Sequence, residues 1–285
     1  MVKYHLPVLL SEVIAKFDPK PGKVFIDATC GHGGHTQQLL GGGAKVFGID
    51  ADITNLDIAT KRIDNPNFTP ILGNFRDILQ IWQDKIEKPV DGILLDLGLS
   101  SNQQSQPGRG FSFSDDLSID MRLDPENQDT SAENIINTYD ETQLYLLFSK
   151  VAQEAYARPL AQKIITARQK NPIKTGTELA TIIKDYYQSK NIRSSTNPAT
   201  KIFMALRIET NQEFENLHKF LIDSQKIVKS DGIIGIISFH SGEDRIVKNF
   251  IRKNGFRSNR YLPTRIELSS NHLSRSAILR TYTIN

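Results

Sequence analysis

The sequence predicts an α/β protein, a parallel, doubly wound sheet carrying an all-helical domain inserted after its fourth strand. Three observations predict it. Short apolar runs alternate with helical patterns from Val24 to Leu97, the order that builds parallel strands with crossover helices. From Thr130 onward the pattern is helical, with no convincing strand for about a hundred residues. Strand character then returns at Ile233-Ile234-Gly235-Ile236-Ile237-Ser238.

In chain order, His5-Leu6-Pro7-Val8-Leu9-Leu10 leads into a helix over residues 11–17, stopped by Pro19 and Pro21-Gly22. Strands are expected at residues 24–27, 45–50, 68–72 and 92–97, with helices between them, the clearest at 53–63. A polar stretch from Ser100 to Gly110 follows, then Phe111-Ser112-Phe113, whose spacing fits either plain core or a loop closing over a base. Thr130-x-x-Glu133, Asp140-x-x-Gln143 and Thr175-x-x-Glu178 are candidate capping boxes. They introduce helices over residues 132–137, 141–148 and 178–187, with another at 154–170; a loop at 191–198 precedes one more, through Arg207. An amphipathic helix with Phe214, Leu217, Leu221 and Val228 on one face leads to the returning strand. A helix at 243–253 and two short strands, 256–262 and 277–282, complete the pattern. The domains are therefore residues 1–105 with 212–285, and an insertion at 106–211. Ligands bind at the carboxyl ends of such strands, so an insertion there overhangs the site.

Composition narrows the class. At 285 residues the chain has ample core for one large domain or two smaller ones. Its strongly apolar stretches are too short to span a bilayer. MVKYHLPVLL lacks a signal-peptide apolar region, and the single Cys30 excludes an internal disulfide, so the expected location is cytoplasmic. The net charge of +3 is unevenly spread. From Arg245 onward nine basic residues face one acid, Glu267. Arginine predominates among them, which suits bidentate phosphate contact. This tail reads as a nucleic-acid surface or as a solvated helix face.

Residues 24–35, VFIDATCGHGGH, carry the chemistry: buried strand, glycine turn, helix start. Glycines allow a sharp bend and let a ligand lie against bare peptide, while the helix N-terminus offers free N–H groups. A second apolar run, Lys45-Val46-Phe47-Gly48-Ile49-Asp50, ends in a carboxylate about 20 residues on, the spacing at which an acid reaches a ribose. A nucleoside-containing cofactor is the leading reading. A dinucleotide fingerprint wants a third glycine where Thr36 stands; Asp27-x-x-x-Gly31-x-Gly33 instead resembles the first motif of methyltransferases that use S-adenosylmethionine. Cys30, His32 and His35 offer three zinc ligands without a fourth, so no metal is expected. Ser238, His240 and Asp244 crowd into seven residues without a nucleophile elbow, a poor hydrolase triad.

Asp96-Leu97-Gly98-Leu99-Ser100-Ser101-x-Gln103, Arg109-Gly110-Phe111-Ser112-Phe113 and Asp120-Met121-Arg122 form a more particular set. Together with His5-x-Pro7-Val8-Leu9-Leu10, Gly33-Gly34-His35, Asn197-Pro198-Ala199-Thr200, Ala205-Leu206-Arg207-Ile208 and Ser238-Phe239-His240-Ser241, the chain resembles the bacterial 16S ribosomal RNA cytosine-N4 methyltransferases. The resemblance runs from Tyr4 to Arg280 in motif order. It implies a Rossmann-like class I methyltransferase sheet, S-adenosylmethionine as cofactor, and methylation of the exocyclic amine of a cytidine in the decoding region. It also implies that Gly33, Gly34 and His35 line the cofactor, that Asp50 bonds the ribose, and that Phe75 contacts the adenine. Asp96 and Gln103 match the remaining cofactor positions, and Asp96 is the candidate catalytic acceptor. The partner implied is 16S ribosomal RNA within the small subunit, with the insertion recognising RNA; a homodimer stays open. Gly242, Lys201, Met204, Cys30 and His32 depart from the family pattern, and the segment between Asn254 and Ser276 is shorter than usual.

Overall fold

The computed structural model describes residues 6–98, 107–126 and 128–284. The chain divides into two compact units, Met1–Gly98 with Phe214–Asn285, and Leu99–Glu213.

In the first unit, α1 (Leu10–Phe17), β1 (Val24–Asp27), α2 (Gly34–Gly41), β2 (Lys45–Asp50), α3 (Ile53–Arg62), β3 (Phe68–Leu72), α4 (Ile78–Lys85) and β4 (Val90–Asp96) alternate. The second unit holds α5 (Ala132–Thr138), α6 (Glu141–Leu146), α7 (Ala157–Arg168), α8 (Gly176–Ser189) and α9 (Thr200–Thr210). The chain then returns through α10 (Glu213–Ser224) to β5 (Val228–Ser238), α11 (Ser241–Asn254), β6 (Ser258–Tyr261), α12 (Arg265–Ser270) and β7 (Ile278–Thr283).

The seven strands lie in the order β3-β2-β1-β4-β5-β7-β6. Strands β1 to β5 pair in parallel, whereas β7 runs antiparallel to both β5 and β6, so β7 alone is reversed and the edge strand β6 regains the direction of the others. The order turns around between β1 and β4, and at such a switch point the connections leave in opposite directions and open a crevice.

Alternation along each strand sends neighbours to opposite faces. Phe25, Val46, Leu94 and Ile237 pack with Val13, Phe17, Leu39 and Leu40 of α1 and α2. Ile26, Phe47, Ile93, Leu95 and Ile236 pack with Leu217, Phe220 and Leu221 of α10 and with Val247 and Ile251 of α11. Both faces are covered, which is why these strands read as continuous apolar runs. The helical unit has its own core, around Ile135, Leu144, Phe148, Leu160, Leu179, Ile183, Ile202 and Leu206.

Several local expectations need correction. The cap of α5 is Ser131 with Asn134 instead of Thr130 with Glu133: the Ser131 hydroxyl accepts from the Asn134 amide at 3.1 Å. Val228 lies in β5 and not on the preceding helix, because the strand reaches back to pair Val228 with Val90 beyond a register shift. Between β6 and β7 the chain forms α12 and a 3-10 turn, His272–Ser276. Glu267 of that helix accepts from the Leu9 amide at 2.7 Å, and Asn271 donates to the Leu6 carbonyl at 3.1 Å, anchoring a segment whose own face is exposed.

Candidate active site

Three neighbouring parallel strands end in the same way, two apolar residues and then an aspartate. Asp27 closes β1, Asp50 closes β2 and Asp96 closes β4. The register sets Asp27 beside Gly48 and Leu94, so these carboxylates cluster at the carboxyl edge, around the switch point.

Asp27 is 1% exposed. Its Oδ2 accepts from the Thr36 hydroxyl at 2.6 Å, and the amides of Thr29 and Thr36 face the carboxylate, whose Oδ1 is enclosed without a hydrogen-bond partner among the described residues. These donors belong to the glycine turn and the first turn of α2, so Asp27 ties the loop to the strand it leaves. Burial raises its pKa; the nearby His35 and the hydrogen bonds oppose the rise.

The turn itself needs glycine at Gly31 (φ 53°) and Gly33 (φ 78°). A Cβ on Gly33 would come within 2.5 Å of Ile63 Cδ1, and one on Gly34 within 3.2 Å of Pro7. Their missing side chains therefore make room for the protein's own packing. Cys30 is buried with Sγ 3.5 Å from the Thr36 hydroxyl, and burial pushes its thiol well up, leaving it a small apolar group.

Asp50 is pinned from three directions. Oδ2 accepts from the Gly31 amide at 2.8 Å; Oδ1 accepts from the Asp52 amide at 2.9 Å and from Asn55 Nδ2 at 3.2 Å. A carboxylate has about four acceptor sites, so one stays open for a hydroxyl. Burial raises its pKa against these donors. The Gly73 amide donates to the Asp50 carbonyl at 3.0 Å, which brings the start of the next turn alongside. Phe75 follows in that turn, partly buried, with its ring edge-on to Phe220 at 5.9 Å.

Asp96 is placed by its backbone, whose amide donates to the Thr29 hydroxyl at 2.7 Å. The side chain is 23% exposed, yet its Oδ1 is enclosed without a hydrogen-bond partner among the described residues. Burial, then the charges of Asp27 and Glu243, hold its carboxyl well above the usual range. His35, on the first turn of α2, is buried beside it. Nε2 lies 2.9 Å from the Val8 carbonyl, which only accepts, so Nε2 carries hydrogen; Nδ1 stands 3.7 Å from Asp96 Oδ2. Gln103 lies outside the described residues.

The other sequence candidates are occupied elsewhere. His240 caps α11, its Nδ1 accepting from the Glu243 amide at 3.4 Å, and Asp244 forms a two-pronged ion pair with Arg280 at 2.6 and 3.1 Å. Ser238, His240 and Asp244 therefore do not form a relay. Phe113 stands edge-on to Phe203 at 4.9 Å in the helical core, and Phe111 lies beneath the Arg109 guanidinium at 5.8 Å. Sequence reading missed Asp27 and Glu243 as site residues. The repeated strand ending was the signal for Asp27; Glu243 gave none.

Residues 2–282 match the MraW methylase family. The chain belongs to that family. Its relatives include proteins named ribosomal RNA small subunit methyltransferase H. The one from Gloeothece citriformis is 41% identical, covering 97% of this chain and 92% of the relative. That from Deinococcus radiodurans is 42% identical over 87% and 78%, and that from Carboxydothermus hydrogenoformans 40% identical over 87% and 80%. As a family member the chain is an S-adenosylmethionine-dependent methyltransferase. The residues present fit that cofactor. Asp50 retains an acceptor for a ribose hydroxyl, and the orphaned Oδ1 of Asp96 suits the cationic end of the donor.

Proposed function

We propose that this protein methylates small-subunit 16S ribosomal RNA on the exocyclic N4 amine of a cytidine in the decoding region. The observation that carries the reading is the set of aspartates ending β1, β2 and β4 at the switch point, with Oδ1 of Asp96, like Oδ1 of Asp27, enclosed without a hydrogen-bond partner among the described residues. The names of the 40%-identical relatives support ribosomal RNA as the substrate class. The base and the atom rest on the sequence motifs.

S-adenosylmethionine, when bound, supplies an already activated methyl group. Asp50 would hold its ribose, Phe75 its adenine and Asp96 its cationic end, while Gly33, Gly34 and His35 shape the floor beneath; Gln103 completes the set. The protein's task is then alignment and exclusion of water. Cytidine N4 is a poor nucleophile because its lone pair is delocalised into the ring. A carboxylate accepting one amine hydrogen favours a geometry in which that lone pair is free, and later receives the proton. In this reading Asp96, at the carboxyl end of β4, does both. The target base leaves its stack to reach it. The helical unit and the exposed Arg252 and Arg257 hold RNA phosphates.

Unmodified small subunits incubated with methyl-labelled S-adenosylmethionine, digested and examined by nucleoside mass spectrometry test the reading. N4-methylcytidine in 16S RNA is the expected product. Label in any other nucleoside, or none, overturns it.

A further inference from the structure

Like charge surrounds the Asp96 carboxyl. Asp27 ends the neighbouring strand on one side; on the other, β5 runs directly into the first turn of α11, which carries Glu243. Glu243 is 3% exposed and firmly held. Its Oε2 accepts from the Phe239 amide at 2.8 Å and the His240 amide at 3.3 Å, and its Oε1 lies 3.3 Å from His240 Nε2. The ionisable groups facing Asp96 are thus Asp27 from β1, His35 from α2, and Glu243 with His240 from α11.

These carboxyls are not equivalent. Asp27 and Glu243 each have amide or hydroxyl donors that stabilise a negative charge. The Asp96 side chain has no such donor among the described residues, and its Oδ1 is enclosed. When like charges crowd a buried site, the carboxyl with the fewest donors keeps its proton.

We propose that Glu243 is a positioning residue that keeps Asp96 in its acid form in the free protein, and that entry of the cationic methyl donor expels the proton. The Asp96 O–H bond breaks, its electron pair stays on the oxygen, and the proton passes to solvent. The carboxylate left behind faces the positive charge of the donor, whose sulfonium and ammonium supply what the protein withholds. The acceptor for the substrate amine thereby exists only in the loaded site. This inference rests on S-adenosylmethionine being the ligand of the crevice.

Calorimetric titration of the whole protein with S-adenosylmethionine, in buffers of different ionisation enthalpy from mildly acid to neutral pH, tests it. The binding heat should vary with the buffer and report release approaching about one proton per site. Affinity should rise with pH by up to roughly tenfold per unit while the free protein holds that proton. Asp96→Asn should abolish the buffer dependence. Glu243→Gln keeps an acceptor for the Phe239 amide but removes a like charge, so it should move the release to lower pH. A purely structural role for Glu243 would change stability or affinity without moving that pH dependence, and would overturn the assignment. Binding with the same heat in every buffer overturns the proposal and leaves the cofactor reading intact; no binding at all removes that reading, and the proposal with it. Should Asp96→Asn not bind, the wild-type and Glu243→Gln titrations decide.

Discussion

The Thr36 hydroxyl donates to Asp27 Oδ2 across 2.6 Å, joining the first turn of α2 to the last residue of β1. That bond closes the glycine turn on itself and gives a buried carboxylate one of its few donors. Thr36→Val keeps the shape and removes the donor. It should cost about 1.5–3 kcal/mol, the range for a hydrogen bond to a charged group, in urea unfolding at neutral pH.

Asp96→Asn should abolish methyl transfer and yet stabilise the fold. The folded-state pKa of Asp96 lies above the unfolded value because of burial and its acidic neighbours. A raised acid pKa means that stability is lost as pH rises from the unfolded value through the folded one. The variant escapes that loss. Its melting temperature should match wild type in strong acid and exceed it by a few degrees at neutral pH. A variant no more stable than wild type at neutral pH would show that the carboxylate is compensated in the folded protein.

Gly33→Ala forces φ 78° on a residue with a Cβ and drives that atom toward Ile63 Cδ1. The backbone strain alone is worth about 1–2 kcal/mol. Ile63→Val removes the clashing methyl, so the double variant should lose less stability than the two single variants added together. Strict additivity in denaturant melts would place the whole cost in the backbone.

The basic tail divides into two kinds of arginine. Arg280 is spent on Asp244 inside the fold, while Arg252 and Arg257 are exposed. Arg280→Ala should cost about 2–3 kcal/mol of stability, since it strands a half-buried partner. Arg252→Ala and Arg257→Ala should leave stability unchanged and lower the salt slope of RNA binding by close to one each. An unchanged slope would make them solvated surface.

The sequence showed the parallel half of the sheet plainly, because strands buried on both faces are written as apolar runs bounded by turns. Val24–Asp27, Lys45–Asp50 and Phe68–Leu72 emerge with the residues expected. The start of β5 was hidden, since Lys229-Ser230-Asp231 carries no apolar pattern and only pairing of Val228 with Val90 makes it strand. The segment forming α12 was equally opaque; long-range bonds from Glu267 and Asn271 to Leu9 and Leu6 fix it. Within the site, Asp50 and Asp96 were legible from position after a strand. Glu243 was not, because its place beside Asp96 depends on β4 and β5 being neighbours, a fact of topology that no local spacing encodes.

Equilibrium binding of S-adenosylhomocysteine to the wild-type protein and to Asp50→Asn tests most directly whether the carboxyl ends of β1, β2 and β4 hold the cofactor. One saturable site in the wild type, weakened about tenfold or more in the variant through loss of a charge-assisted bond, is the predicted result. Equal affinity in a folded Asp50→Asn protein, or no saturable site in the wild type, would contradict the account.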